Sequence, residues 1–250
     1  EMADRPTVVS FSKTDFAGDE LPGADCVLYR RKDDGSLVQI DAWTSENTPH
    51  VITGKLAADT AYVFHEEKAP NGYGYSKDIT FTLDAAGSVT SAHYIDGNGS
   101  PVLYDKDGYQ TDITVLEDGS YLYKGQAVTI NEFGNAVDAE GKTVAEGVAL
   151  ELTVVGNVIQ MKDAPTNVTL KKVDSVSGTA LAGAVLQVIN KEGGIVAEWT
   201  TGADGTFVLE GTLTPGESYT LHEKETIDGY YYSYDVPFAM NMDGKPQTVE

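Results

Sequence analysis

The sequence predicts an all-β chain of two tandem β-sandwich domains, the first enlarged by a β-hairpin insertion. Three observations predict it. The chain repeats itself in four matched blocks, its apolar residues alternate with period two, and Gly, Pro, Asn and Asp turns bound each run. No segment carries a convincing helical period.

The first copy opens on VVSFSKTD, whose alternation places Val9, Phe11 and Lys13 on one face of a strand. LPGADCVLY, AWTSENTPHVITGKL and AYVFHEEKAPNGY follow, each with a short β-branched or aromatic run. The second copy reads NVTLKKVD, LAGAVLQVI, EWTTGADGTFVLEGTL and SYTLHEKETIDGY, in the same order. Lys13 matches Lys172, Trp43 matches Trp199, Glu66 matches Glu223 and Tyr73 matches Tyr230. The lysine and glutamate lie 53 residues apart in one copy and 51 in the other. So long a unit is a domain rather than a solenoid repeat, and short strands at this spacing suggest a sandwich. The stretch Ala164-Pro165-Thr166 suits a short, stiff joint. The domains expected are therefore 1–164 and 165–250. About 60 residues of the first copy have no match in the second. Within residues 97–155, YLYKG, AVTINEF and ALELTVV read as added hairpins.

Composition narrows the function. The chain has 250 residues, 17 basic and 39 acidic, for a formal net charge of −22. That balance argues against nucleic acid, which needs a concentrated basic footprint, and against docking on anionic lipid. No run approaches the roughly 20 apolar residues of a membrane span, so no membrane insertion is expected in this fragment. No basic-then-apolar signal opens the chain, and its clean start and abrupt end suggest an excised piece. Cys26 is the one cysteine and lies in an apolar run, where a buried structural thiol is expected. A secreted chain of this kind needs a stabiliser other than a disulfide.

One lysine ending an apolar strand face reads simply as a strand-end residue whose ammonium reaches water. Two at matched positions, each with a glutamate on a matched Tyr-x-x-x-Glu strand, read as a built pair. Burial disfavours the ammonium and the carboxylate alike. A neutral lysine amine is a nucleophile, and a protonated glutamic acid can polarise a carbonyl. With an Asn or Asp on a neighbouring last strand, the amine can attack its side-chain carbon and release ammonia or water. Proximity and desolvation suffice, so no cofactor is implied.

The pattern formed by Lys13, Asp15, Gly23, Ala24, Trp43, Thr44, Tyr62, Glu66, Gly72 and Tyr73 recurs in the second copy. There it is Lys172, Asp174, Gly183, Ala184, Trp199, Thr200, Tyr219, Glu223, Gly229 and Tyr230. It resembles the collagen-adhesin B-type domains, also called SpaA-like or prealbumin-like, of Gram-positive surface adhesins and pilins. The resemblance implies an immunoglobulin-like (prealbumin-like) sandwich. It makes Lys13 and Lys172 amines, Glu66 and Glu223 catalytic acids, and an Asn or Asp at the end of the last strand the acceptor. Two acceptors stay open in the first copy. Asp163 in VIQMKDAPT is favoured by strand continuity into the second copy, and Asp96 is the rival from a gap-free extension of the match. In the second copy the acceptor falls about three residues beyond Glu250. That domain is expected to lack its last strand, leaving Lys172 without an acceptor and a slot that a complementing strand could fill.

The expected function is thus a structural or adhesive segment of a cell-wall-anchored surface protein or pilin. It would be extracellular, beside other domains of the same protein, and stabilised by an autocatalytic Lys–Asp isopeptide bond. Self-crosslinking is a single turnover and does not make an enzyme; no phosphate loop or nucleophile–base pair appears. The alternative is a ligand-binding adhesin module presenting the inserted hairpins to a host protein or glycan. Weaker signals read as structure. DGNGS (96–100) and DKDGYQTD (105–112) lack the closing glutamate of a calcium loop, and the four histidines lack metal-ligand spacing, so no metal is expected. LPGAD (21–25) has Ala24 where a sortase signal needs Thr. GYYYSY (229–234) is expected to pack against core or sheet.

Overall fold

The structure, a computed structural model, describes residues 5–148, 154 and 156–250. Every regular element among them is a β-strand. The chain divides into two compact units, residues up to Pro70 with Tyr75–Ala164, and Asn71–Gly74 with Pro165–Glu250.

In the first unit, β1 (Val8–Thr14), β4 (His50–Thr53) and β14 (Val158–Lys162) form one sheet in the order β14-β1-β4. The facing sheet runs β3-β2-β5-β6-β7, from β2 (Asp25–Arg31), β3 (Leu37–Thr44), β5 (Ala61–Lys68), β6 (Asp78–Leu83) and β7 (Val89–Ile95). Alternation sends Val9 and Phe11 of β1, Tyr62 and Phe64 of β5, and Ile159 and Met161 of β14 into one core. Phe11 sits at its centre, with ring centroids 5.2 Å from Phe64, 5.5 Å from Trp43 and 5.8 Å from Phe81. Each such ring contributes roughly 2–3 kcal/mol by leaving water. The decisive pairing is between β1 and β14, the first and last strands, which run parallel with Phe11 opposite Ile159 and Lys13 opposite Met161.

The second unit repeats this plan. Its sheets are β18-β15-β21 and β17-β16-β19-β20. The strands are β15 (Asn167–Lys171), β16 (Val185–Asn190), β17 (Ile195–Thr200), β18 (Thr206–Glu210), β19 (Ser218–Glu225), β20 (Val236–Ala239) and β21 (Gln247–Val249). Here the expected loss of the last strand is corrected. β21 occupies the place of β14, parallel to β15 with Val249 opposite Leu170, because Val249 supplies an apolar side chain at the register of Ile159.

The insertion also differs from the expected range of 97–155. In the second unit a short turn joins β20 to β21. In the first, everything from Asp84 to Asn157 replaces that turn. β7 therefore belongs to the insertion and adds an edge strand beside β6. Asn157 ties its start to β1: its Nδ2 donates to the carbonyls of Val8 and Gly87, and its Oδ1 accepts the N–H of Val89. The rest is an antiparallel meander of β8 (Val102–Tyr104), β9 (Gln110–Val115), β10 (Tyr121–Tyr123), β11 (Gln126–Ile130), β12 (Ala136–Val137) and β13 (Thr143–Ala145). It packs its own small core of Leu103, Ile113, Val128, Ala136 and Val148. The ALELTVV run (149–155) lies, apart from Val154, outside the described residues.

One turn form recurs six times in the insertion. At Asp84, Asp96, Asp105, Leu116, Asn131 and Asp138, the first residue's carbonyl accepts the N–H of a glycine three positions on. Its own N–H donates to the carbonyl four positions on. The glycines hold φ between +74° and +86°, where a Cβ is strained. At the five Asp and Asn starts, the side-chain oxygen accepts N–H groups two and four residues on. In the acidic loops DGNGS and DKDGYQTD, the Asp96 and Asp105 carboxylates cap turns, while Asp107 pairs with Lys106 and Asp112 with Lys124. Among the described residues, no three His, Cys, Asp or Glu side chains gather as a metal set.

Gly119 (φ +81°) and Gly97 both have open space where a Cβ would stand, but only Gly119 has a left-handed backbone. Gly119→Ala is expected to cost about 1–2 kcal/mol, and Gly97→Ala to stay within about 0.5 kcal/mol of the parent, by urea denaturation.

Candidate functional site

Three strands of the first unit end at one place. β1 carries the alternation Val9, Phe11, Lys13 inward, β5 carries Tyr62, Phe64, Glu66, and β14 leads through Ile159 and Met161 to Asp163. The Asp163 N–H donates to the Thr14 carbonyl at 2.9 Å, extending the β1–β14 ladder by one bond. A register shift opposite Asp25 and Cys26 makes Glu67 the extra residue of β5 and lets Glu66 stay inside while Glu67 faces water.

The side chains meet. Lys13 Nζ donates to Asp163 Oδ1 and lies 2.9 Å from Glu66 Oε1. The lysine side chain is 1% exposed and both carboxyls 0%. Glu66 Oε2 accepts the Ser76 N–H at 2.8 Å. Burial pushes the Asp163 carboxyl well above the usual carboxylate range; Lys13 opposes this and the Glu66 charge adds to it. Burial alone would depress Lys13, but Asp163 and then Glu66 outweigh it and raise the amine above its ordinary value. Cys26, next to Glu66 across the β2–β5 ladder, is pushed up to about 12, chiefly by burial, and stays a thiol.

Asp96, the rival acceptor, is not at this site. It follows β7 on the far edge of the other sheet, where its Oδ1 accepts the N–H groups of Asn98 and Ser100. Sequence extension failed because the chain leaves the repeat register after Leu83.

The second unit repeats the pair. Lys172 Nζ is 3.1 Å from Glu223 Oε1, and Glu223 Oε2 accepts the Ser233 N–H at 2.6 Å. Burial pushes the Glu223 carboxyl up, but the Ser233 N–H and Lys172 outweigh it and hold it below its usual range. The Lys172 side chain is 14% exposed, beside a cavity of about 270 Å³ lined by Leu186, Leu221, Val236 and Tyr234 among others. By register, the positions matching Met161 and Asp163 are 251 and 253, past the end of this sequence.

The pairing of first with last strand, facing a four- or five-stranded sheet, occurs twice with the same lysine and glutamate. The SpaA prealbumin-like fold domain model matches residues 7–98 and 166–250. The chain belongs to this family. No curated protein matches it. Among solved structures, the SpaA-like chain is similar to the shaft pilin SpaA of Lactobacillus rhamnosus GG, at 14% identity and a TM-score of 0.32, over 98% of this chain and 96% of that one. It is also similar to a C-terminal fragment of the pilus adhesin SpaC from that organism, at 17% identity and a TM-score of 0.39, over 96% and 84% of the two chains.

Several residues of the SpaA-like domains escaped the sequence reading. Ser76 and Ser233 each stand ten residues after the glutamate they hydrogen-bond, an offset the repeat itself carries. Tyr94 and Tyr104, which border the first site, belong to the insertion and have no repeat partner to flag them. GYYYSY is corrected outright. Tyr231, Tyr232 and Tyr234 are 98%, 62% and 96% exposed, because the loop between β19 and β20 leaves the sheet there.

His65 and His222 face outward, as strand alternation requires. Each bonds an aspartate, Asp78 at the start of β6 at 2.6 Å and Asp235 just before β20 at 2.8 Å. The bond to Asp78 raises His65 above the ordinary histidine value, against the opposing effect of burial. Its stabilisation is therefore fully present below about pH 6.5 and lost as pH rises through the raised folded value. His65→Ala is expected to flatten a stability loss of less than about 1 kcal/mol between acid and mildly alkaline pH, read by urea titration.

Proposed function

We propose that this chain is a load-bearing segment of a Gram-positive cell-surface protein or pilin, and that its first domain closes itself with an amide bond between Lys13 and Asp163. The observation that carries this reading is one amine and two carboxyls in mutual contact, nearly free of water. Membership of the SpaA-like family supports the surface role.

The chemistry needs no cofactor. One proton passing from Lys13 to Glu66 turns an ion pair into an amine and an acid without changing the proton count. Desolvation favours that neutral form. Burial favours the protonated Asp163 carboxyl, the form whose Cγ is an electrophile. The Nζ lone pair attacks Cγ while the Glu66 carboxyl hydrogen-bonds the carbonyl oxygen. Glu66 then carries a proton from the nitrogen to the departing hydroxyl. The Nζ–Cγ bond forms, the Cγ–O bond breaks and one water leaves. Glu66, a carboxylate in the starting ion pair, ends holding the proton that Lys13 gave it, and the turnover is single.

The bond sits where tension would pass. Force entering at the start of β1 and leaving after β14 shears two parallel strands. A Lys13–Asp163 amide carries that force directly from one to the other and shields the segment between them, whose ends are 150 positions apart. Closing so long a loop also restricts the unfolded chain by about 5 kcal/mol in the entropy model, and no reductant undoes it.

The wild-type protein is expected to weigh one water less than its sequence, with Lys13 and Asp163 joined in a crosslinked peptide. Lys13→Ala and Glu66→Ala are expected at full mass. Pulled from its ends, Lys13→Ala should lengthen by up to about 500 Å as this loop unravels, a step missing from wild type. An unshifted wild-type mass would sink the proposal.

A further inference from the structure

We infer that the insertion covers the Lys13 site, with Tyr94 and Tyr104 as the positioning residues that hold its two carboxyl-bearing segments together and keep water out. This rests on the crosslinking reading above and assigns the inserted strands a part in it.

The two tyrosines come from β7 and β8, the first strands of the insertion, and are 9% and 7% exposed. Their rings pack on each other with centroids 4.5 Å apart. The Tyr94 hydroxyl accepts the N–H of Lys162, the residue before Asp163, at 2.9 Å. The Tyr104 hydroxyl accepts the N–H of Lys77 at 3.0 Å, next to Ser76, whose own N–H holds Glu66. The Ser76 hydroxyl faces both phenols. One tyrosine therefore grips the acceptor strand, the other grips the segment holding the acid, and the tilted contact of their rings joins the two. Burial raises both phenols, Tyr104 to about 12, so neither adds a negative charge beside Glu66. The cover continues outward: Phe16 lies 6.3 Å from the Tyr104 ring, and the Gly108 turn closes over Phe16 so tightly that a Cβ there would stand 2.4 Å from its ring.

The second unit serves as an internal comparison. It has the same amine, acid and serine N–H. There Lys172 lines a cavity, with no inserted segment like that of the first unit beside it. Amide formation needs neutral partners, and water favours the charged pair, so a leak at this place would slow the bond directly.

The test follows bond formation by intact mass after a short pulse of cell-free synthesis of the full chain. Tyr94→Phe with Tyr104→Phe removes only the hydroxyls, and Tyr94→Ala with Tyr104→Ala removes the cover. The alanine pair is expected to form the bond at least about tenfold more slowly, the rate equivalent of one or two lost hydrogen bonds. The phenylalanine pair should fall between it and wild type, a partial rescue that a purely structural loss would not give in graded form. In a Glu66→Ala background, the alanine pair should also expose Lys13 to an amine-acylating reagent that leaves it untouched when the tyrosines are present. Should the alanine pair fail to fold, the phenylalanine pair decides. Formation at the wild-type rate in the phenylalanine pair overturns the inference while leaving the crosslink standing. A wild type at full mass overturns the crosslinking reading itself, and this inference with it.

Discussion

A lysine amine buried between two carboxyls constrains the rest of the first domain. An isolated charge in such a core costs several kcal/mol, and only close, oriented partners offset it. Lys13 has both partners within contact, and each is delivered by a different strand. The position of β1, the bulge in β5 and the parallel docking of β14 are thus tied to one another. A one-residue slip of any of them would send its functional side chain to the opposite face.

The same constraint makes the comparison of the two domains informative. Both keep the inward lysine, the bulge after the glutamate, and the serine N–H on its far oxygen. Both stack the tryptophan of the third strand on a ring of the strand beside β1 or β15: Trp43 on His50 at 4.2 Å, Trp199 on Phe207 at 4.4 Å. They part at the loop before the last strand. There the second domain makes a short turn, and the first inserts an edge strand and a six-stranded meander. Tyr94 and Tyr104 of the inserted strands hydrogen-bond the backbone of Lys162, beside Asp163, and of Lys77, beside Ser76.

Much of this was legible in the residues. The alternation through Val9, Phe11 and Lys13, and through Tyr62, Phe64 and Glu66, placed amine and acid on inward faces, because strand side chains alternate strictly. The internal repeat supplied the all-β tandem fold. Strand continuity favoured Asp163, but pattern left Asp96 open as a rival, since each follows a short apolar run and precedes a turn or joint. Choosing between them needed the partner of β1, a contact between residues 150 positions apart. β7 likewise reads like any sandwich strand, and its place at the sheet edge beside β6 shows only in the strand pairing.

Sequence alone determined the period of the strands, the repeated lysine–glutamate pair, the family, and the glycine turns, because these depend on neighbours in the chain and on side-chain chemistry. Tertiary structure decided which aspartate meets Lys13, where the second domain's last strand begins, and what Tyr94 and Tyr104 touch. Those are matters of distance and exclusion of water. They arise only when segments far apart in the chain close on one another.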